Sequence, residues 1–164
     1  MIGASLSIAG EVERPLALTR EELGELADGD LVADLNCLEG WSRPGLRWHG
    51  VRLSTLLALA GAHDTGRFVT LRSGEYTVVL AREQASDERV LLALERDGCE
   101  SSAKRGFPRL VGPSDWDCFQ SIKTVESITV SREAEQATAK TLARARIERA
   151  RSAGSTRRTT PASR

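Results

Sequence analysis

Apolar residues recur along this chain in short blocks, most with the two-residue period of a strand and few with helical spacing. Leu6-Ser7-Ile8-Ala9-Gly10 alternates and ends at a turn glycine. After the connection Glu11–Pro15 and Leu16-Ala17-Leu18, Thr19 stands three residues before Glu22, the spacing of a capping box. Leu23 and Leu26 then form the apolar stripe of a short helix that Asp28-Gly29-Asp30 stops. From Leu31 to Cys37 the alternation returns, with Leu31, Ala33, Leu35 and Cys37 on one face. The stretch from Leu38 to Gly50, rich in Trp, Arg, Gly and Pro, is expected to be a long loop of the functional kind. Ser54 is the expected cap of a helix carrying Leu56, Leu57 and Leu59 and closed by Gly61.

Further on, Phe68–Leu71 and Tyr76–Leu80 read as two strands joined by the turn Ser73-Gly74-Glu75. Ala81–Gln84 suits one helical turn. Val90–Leu94 is a continuous apolar run, the pattern of a buried strand, ended by Asp97-Gly98. Residues 99–107 form a polar loop, Arg109-Leu110-Val111 a short strand, and Ser114–Cys118 a second loop. Ile122–Val130 closes the domain with Val125, Ile128 and Val130 in its core. Together these elements predict an α+β fold, a compact mixed domain of many short strands with two or three short helices, over residues 1–130. From Arg132 the composition turns to Ala, Glu, Gln, Lys and Arg, predicting a helix to about Arg151 that has little to bury, followed by a disordered tail, so that 131–164 is a basic C-terminal extension.

Charge sharpens that division. The 164 residues are neutral overall, but residues 1–130 carry 14 Lys/Arg against 20 Asp/Glu and residues 131–164 carry 9 against 3. The basic tail is read as a solvated extension, with nucleic-acid contact as the lesser reading. No apolar run reaches membrane length, and the first residues lack an export-signal pattern, so a cytoplasmic protein is expected. Cys37, Cys99 and Cys118 are odd in number and widely spaced, which disfavours a disulfide framework and a structural zinc site. His49 and His63 are too far apart for a helical metal pair, and nothing beyond their presence supports pairing either with Cys37 in a cysteine protease. A Gly-rich phosphate loop and a G-x-S-x-G elbow are both missing.

Two candidates for chemistry remain. A lone cysteine is ordinarily a small buried hydrophobe, but the alternation from Leu31 points Cys37 inward at a loop mouth. Arg109 sits in an apolar strand between prolines, where a guanidinium needs an anionic partner, either a carboxylate of the chain or a ligand phosphate. Lys104, Arg105, Ser121 and Lys123 add ammonium, guanidinium and hydroxyl groups of the sort that anion sites use.

Cys37-Leu38-Glu39-Gly40-Trp41-Ser42 followed by Trp48-x-Gly50-Val51-x-Leu53-x-x-Leu56-Leu57 resembles the molybdenum-pterin domain of the sulfite oxidase family, in particular the bacterial branch that includes the methionine-sulfoxide reductase catalytic subunit. Matches continue in order: Leu6–Val12 with Leu18–Leu23, Ser73–Thr77, Leu91-Leu92-Ala93 with Asp97-Gly98, Gly106–Pro113, and Phe119–Lys123. The resemblance covers about residues 5–130 and implies a Mo-molybdopterin cofactor. It makes Cys37 the thiolate ligand of the metal and the catalytic residue, a soft donor suited to a metal already held by dithiolene sulfurs. It makes Ser73 and Arg109 cofactor-binding, and it puts Phe119, Gln120, Ser121 and Lys123 in a phosphate-binding turn. Arg105 replaces the family's usual Asn or His, Gln120 its usual Lys, and one residue fewer separates Gly106 from Arg109. The family's N-terminal covering segment, its dimerisation domain and a haem motif are expected to be missing. The implied activity is transfer of an oxygen atom or an electron pair, with a small-molecule substrate and an electron partner that the sequence does not name. The alternative is a binding or interaction module on the same fold, with catalysis lost and the cysteine sealed among apolar side chains.

Overall fold

The computed structural model describes residues 5–36, 42–97, 99–100 and 106–156. Their ten strands form two sheets. The first has the order β2-β1-β10-β5-β6, from β1 (Ser5–Gly10), β2 (Leu16–Thr19), β5 (Phe68–Ser73), β6 (Tyr76–Ala81) and β10 (Ser127–Ser131). Only β1 and β10 run parallel in it, joining the two ends of the domain. The second runs β3-β4-β7-β8, from β3 (Gly29–Asn36), β4 (Ser42–Arg52), β7 (Leu91–Arg96) and β8 (Cys99–Glu100), with β9 (Arg109–Val111) also paired to β7. Helices α1 (Arg20–Leu26), α2 (Leu53–Ala60) and α3 (Arg82–Ala85) are short, and α4 (Ala139–Thr156) follows the last strand.

The main core joins the inward faces of both sheets to α2, with Ile8, Val51, Leu56, Leu71, Leu92 and Ile128 buried in it. A smaller cluster, including Ala33, Trp48, Leu91, Ala93 and Phe107, fills the other face of the second sheet. Leu92 and Leu94 thus enter one cluster while Leu91 and Ala93 enter the other, so both faces of β7 are dry and the run from Val90 to Leu94 does not alternate. The α+β fold is as the sequence predicts. So is the α1 capping box: Thr19 Oγ1 accepts the Glu22 N–H at 3.2 Å, and Glu22 Oε2 accepts the Thr19 N–H at 3.1 Å.

Three expectations change. Residues 42–50, expected in a long loop, belong to β4; Leu46, Trp48 and Gly50 face inward while Arg47 points out, an alternation that the arginines, proline and glycines conceal. Residues 37–41 lie outside the described residues. Helix α2 is not capped by Ser54: its N-cap is Arg52, with no side-chain cap, and Asp28, which precedes β3, instead braces that first turn, its Oδ1 accepting the Arg52 N–H at 2.9 Å and its Oδ2 accepting the Thr55 hydroxyl. Partial burial pushes the Asp28 pKa up, but these two hydrogen bonds and the nearby Arg52 charge outweigh it, leaving the pKa below its usual value. Asp28→Ala, which removes both hydrogen bonds, is therefore expected to cost about 1 kcal/mol at neutral pH in denaturant melts. A depressed folded pKa gives stability that is present above the unfolded-state value near 3.8 and is lost as pH falls through the folded value. The mutant and wild-type curves should accordingly converge in acid, below about pH 4.

The third change concerns the C-terminal segment. Helix α4 starts at Ala139, later than expected, and runs to Thr156, beyond the predicted onset of disorder at Ser152; residues 157–164 lie outside the described residues. The helix does have something to bury, since Ala139 joins the main core.

Candidate cofactor cleft

Where the first sheet's β5–β6 turn meets the β9 edge of the second, the surface opens into a cleft of about 720 Å³. The first sheet contributes Ser73 and Tyr76, and the second contributes Leu35, Arg43, Arg96 and Arg109. Residues 118, 119 and 121–124 and one face of α4 complete it. Its lining includes five cationic side chains, Arg43, Arg96, Arg109, Lys123 and Arg146, and no carboxylate among the described residues.

Arg109 is the most deeply set of these, 9% exposed. Its Nε donates to the Ser121 carbonyl at 3.1 Å, and its guanidinium lies 5.8 Å from the centre of the buried Trp48 ring. Trp48 in turn leans on Phe107, with ring centroids 6.3 Å apart. Backbone carbonyl and indole face orient the planar fork and partly offset its desolvation, but neither neutralises its charge. Among the described residues no carboxylate forms an ion pair with it. Burial pushes its pKa down, the like charge of Arg96 pushes the same way, and Cys118 pushes it up. Two guanidinium groups converging without an acid is an arrangement completed by an anionic guest.

The segment that follows is pinned against β9. The Leu110, Thr124 and Val125 N–H groups donate to the carbonyls of Ile122, Gly106 and Pro108 at 3.1, 2.9 and 2.9 Å. A Cβ on Gly106 would lie 2.8 Å from the Cβ of Lys123, so the glycine lets the lysine stem cross directly over the backbone toward the cleft. Thr124 adopts φ +53°, a left-handed conformation costly for a β-branched residue, at the very turn that aims Lys123.

Of the sequence-predicted residues, Ser73, Arg109, Phe119, Ser121 and Lys123 all line this one cleft. Gln120 does not; its Oε1 accepts the Asp117 N–H at 3.2 Å and so closes its own turn. Cys37, Lys104 and Arg105 lie outside the described residues. Cys37's chain neighbour Asn36 is described: its carbonyl accepts the Cys118 N–H at 2.6 Å and its side-chain amide donates to the Ser114 carbonyl, which draws the end of β3 to the 114–118 loop beside the cleft. His49 pairs with Asp30 at 2.8 Å and His63 faces Glu11 at 3.8 Å, both in surface pairs away from the cleft lining. Among the described residues no group of three His, Cys, Asp or Glu side chains could hold a metal by itself, and no helix is long and apolar enough to cross a membrane.

Arg43, Arg96, Tyr76 and the α4 residues do not stand out in the sequence. Arg43 and Arg96 each sit near a strand end, where a charged residue is unremarkable. The α4 face is visible in the spacing of Ala139, Ala143 and Ile147, but alanine counts for little in an apolar stripe.

Residues 4–139 match the family model of the oxidoreductase molybdopterin-binding domain. The chain belongs to that family. It is 30% identical over 105 residues to the uncharacterized oxidoreductase YuiH of Bacillus subtilis, covering 63% of this chain and 53% of that protein. It is 34% identical over 104 residues to the putative protein-methionine-sulfoxide reductase subunit YedZ1 of Azospira oryzae, covering 63% and 39%. With the protein-methionine-sulfoxide reductase catalytic subunit MsrP of Campylobacter jejuni it shares 28% identity over 86 residues, covering 52% and 27%. The matches thus span about half or less of these relatives' own lengths. The fold superimposes on the sulfane dehydrogenase SoxCD of Paracoccus pantotrophus with a TM-score of 0.73 at 25% identity, over 82% of this chain and 39% of that one. The resemblance read in the sequence is therefore family membership, in a family of molybdopterin-binding oxidoreductase domains.

Proposed function

We propose that this chain is the cofactor-holding domain of an oxidoreductase, with a Mo-molybdopterin in the cleft and Cys37 as the protein's thiolate ligand to the metal. The observation that carries the reading is the cleft's charge: five cations, one of them buried, face a space lined by no acid among the described residues. A phosphate-bearing pterin fits that donor set. Arg109 offers a planar fork to phosphate oxygens, Lys123 a point charge, and Ser73 and Ser121 short hydroxyl donors. Tyr76 and Phe119 give the pterin ring flat apolar neighbours. When bound, the molybdenum centre supplies two-electron redox chemistry and oxygen-atom transfer, while the chain supplies position and electrostatics. The open cleft at Arg109, Ser121 and Lys123 favours this reading over an interaction module with a filled interior. The substrate is a small molecule, and an electron partner completes the cycle.

Metal analysis tests the assignment of Cys37. Full-length protein made in a host that synthesises the cofactor is expected to carry molybdenum, and Cys37→Ala to carry at least about tenfold less after the same purification. Equal molybdenum in both proteins would remove Cys37 from the site.

A further inference from the structure

The matched family domain ends where the cleft's last wall begins: the match stops at residue 139, and α4 starts there. This wall therefore lies outside the matched residues. The helix is poorly suited to core building, since its apolar residues larger than alanine are only Leu142 and Ile147. Its polarity is nevertheless ordered. Ala139, Ala143, Arg146 and Ile147, at helical spacings of four, seven and eight, line the cleft, Arg146 at its exposed rim, while Arg144, Glu148 and Arg151 do not line it. Alanines let the helix approach closely, and the one acid within its cleft-side turns, Glu148, forms no ion pair with Arg146 among the described residues.

The helix is also fastened. Thr138, just ahead of it, gives its N–H to the Thr77 carbonyl at 3.0 Å; its Oγ1 accepts the Thr77 N–H at 3.0 Å and donates to the Glu75 carbonyl at 2.6 Å. These bonds dock the start of α4 on the free edge of β6. Glu135 pairs with Arg72 on β5, and the Lys140 ammonium lies 5.5 Å from the centre of the Phe119 ring in the cleft wall. A helix with little to bury is thus held by specific bonds beside a cationic cleft and turns one more cation into it.

We propose that α4 is part of the ligand site: Arg146, flanked by Ala143 and Ile147, forms a retaining wall that holds the anionic, phosphate-bearing pterin in the cleft. The proposal rests on the cofactor reading above and adds a binding residue from outside the matched domain. Arg146 acts by charge, the alanines by close approach, and the Thr138 bonds by fixing the helix in place.

The test is a time course of pterin release from full-length holoprotein, followed by pterin fluorescence in the filtrate, for wild type, Arg146→Glu, Arg149→Glu and Thr138→Val. Arg149 is exposed like Arg146 on the same helix and lines the adjoining hollow beside Tyr76 but not the cleft itself, so its reversal changes net charge equally and serves as the control. Arg146→Glu is expected to release pterin about tenfold or more faster than wild type, as loss of a charge-assisted contact implies. Arg149→Glu should stay within about twofold of wild type, the residual effect of a screened surface charge. Thr138→Val should accelerate release to a lesser degree with helix content by circular dichroism unchanged. Equal release from Arg146→Glu and Arg149→Glu, or from Arg146→Glu and wild type, overturns the proposal and leaves the cofactor reading standing. A wild type that carries no pterin overturns both.

Discussion

Arg109→Met is expected to move cofactor retention and apoprotein stability in opposite directions. In the apoprotein Arg109 is a buried cation held by a backbone carbonyl and an indole face, with Arg96 close enough to disfavour its charge. Methionine has similar length, packs against Trp48 and carries no charge to desolvate, so the apoprotein should become more stable by about 1–3 kcal/mol in urea melts. The same change removes the planar donor fork from the cleft, and pterin retention should fall by roughly tenfold to a hundredfold, the equivalent of about 1.5–3 kcal/mol for a charge-assisted hydrogen bond. Arg109→Lys should fall between the two, since it keeps the charge but not the fork. If Arg109→Met instead destabilised the apoprotein, the arginine would be satisfied within the fold and would not be kept for a ligand.

Gly50→Ala is expected to cost a large part of the domain's stability. Its added Cβ would lie 2.1 Å from the Leu92 carbonyl oxygen and 2.7 Å from the Ala93 Cα, both backbone atoms of the neighbouring strand. The register between β4 and β7 shifts at this residue, so the two strands close tightly over the missing side chain. Neither backbone can yield without parting a ladder that is central to its sheet, and a cost of about 3–4 kcal/mol or more follows. The damage should reach the site, because Arg96 lies on β7 and Arg109 on the strand paired to it. Gly45→Ala is the comparison. Gly45 has φ +64°, but a Cβ added there would meet open space, so only the left-handed penalty of about 1 kcal/mol applies. Chemical denaturation of the two variants should separate crowding from conformational strain.

What can be read in the sequence follows from local signals. The Thr19/Glu22 spacing, the Ser73-Gly74-Glu75 turn and the unbroken Val90–Leu94 run each fix their element within a few residues, and each is where expected. The left-handed Gly61 closing α2 belongs with them. Arg109 is legible because a guanidinium in a dry strand contradicts its surroundings. What escapes depends on distant partners. Asp28 braces the start of α2 through the N–H of Arg52, 24 residues further along the chain, and no local pattern announces that bond. Arg43 and Arg96 become site residues only when β4 and β7 are side by side. Helix α4 reads as a solvated extension because its inward face is mostly alanine, and its value lies in what it stands beside. The thiol at Cys37 stays an inference from motif and chemistry, next to a described strand end at Asn36.

The most direct measurement is the pterin content per chain of full-length protein purified from a cofactor-synthesising host, determined for wild type and Arg109→Met together. The cleft as described predicts about one pterin per wild-type chain, the stoichiometry of a single site, and at least about tenfold less in Arg109→Met. A wild type without pterin, or a variant that retains as much as wild type, would contradict the assignment of this cleft.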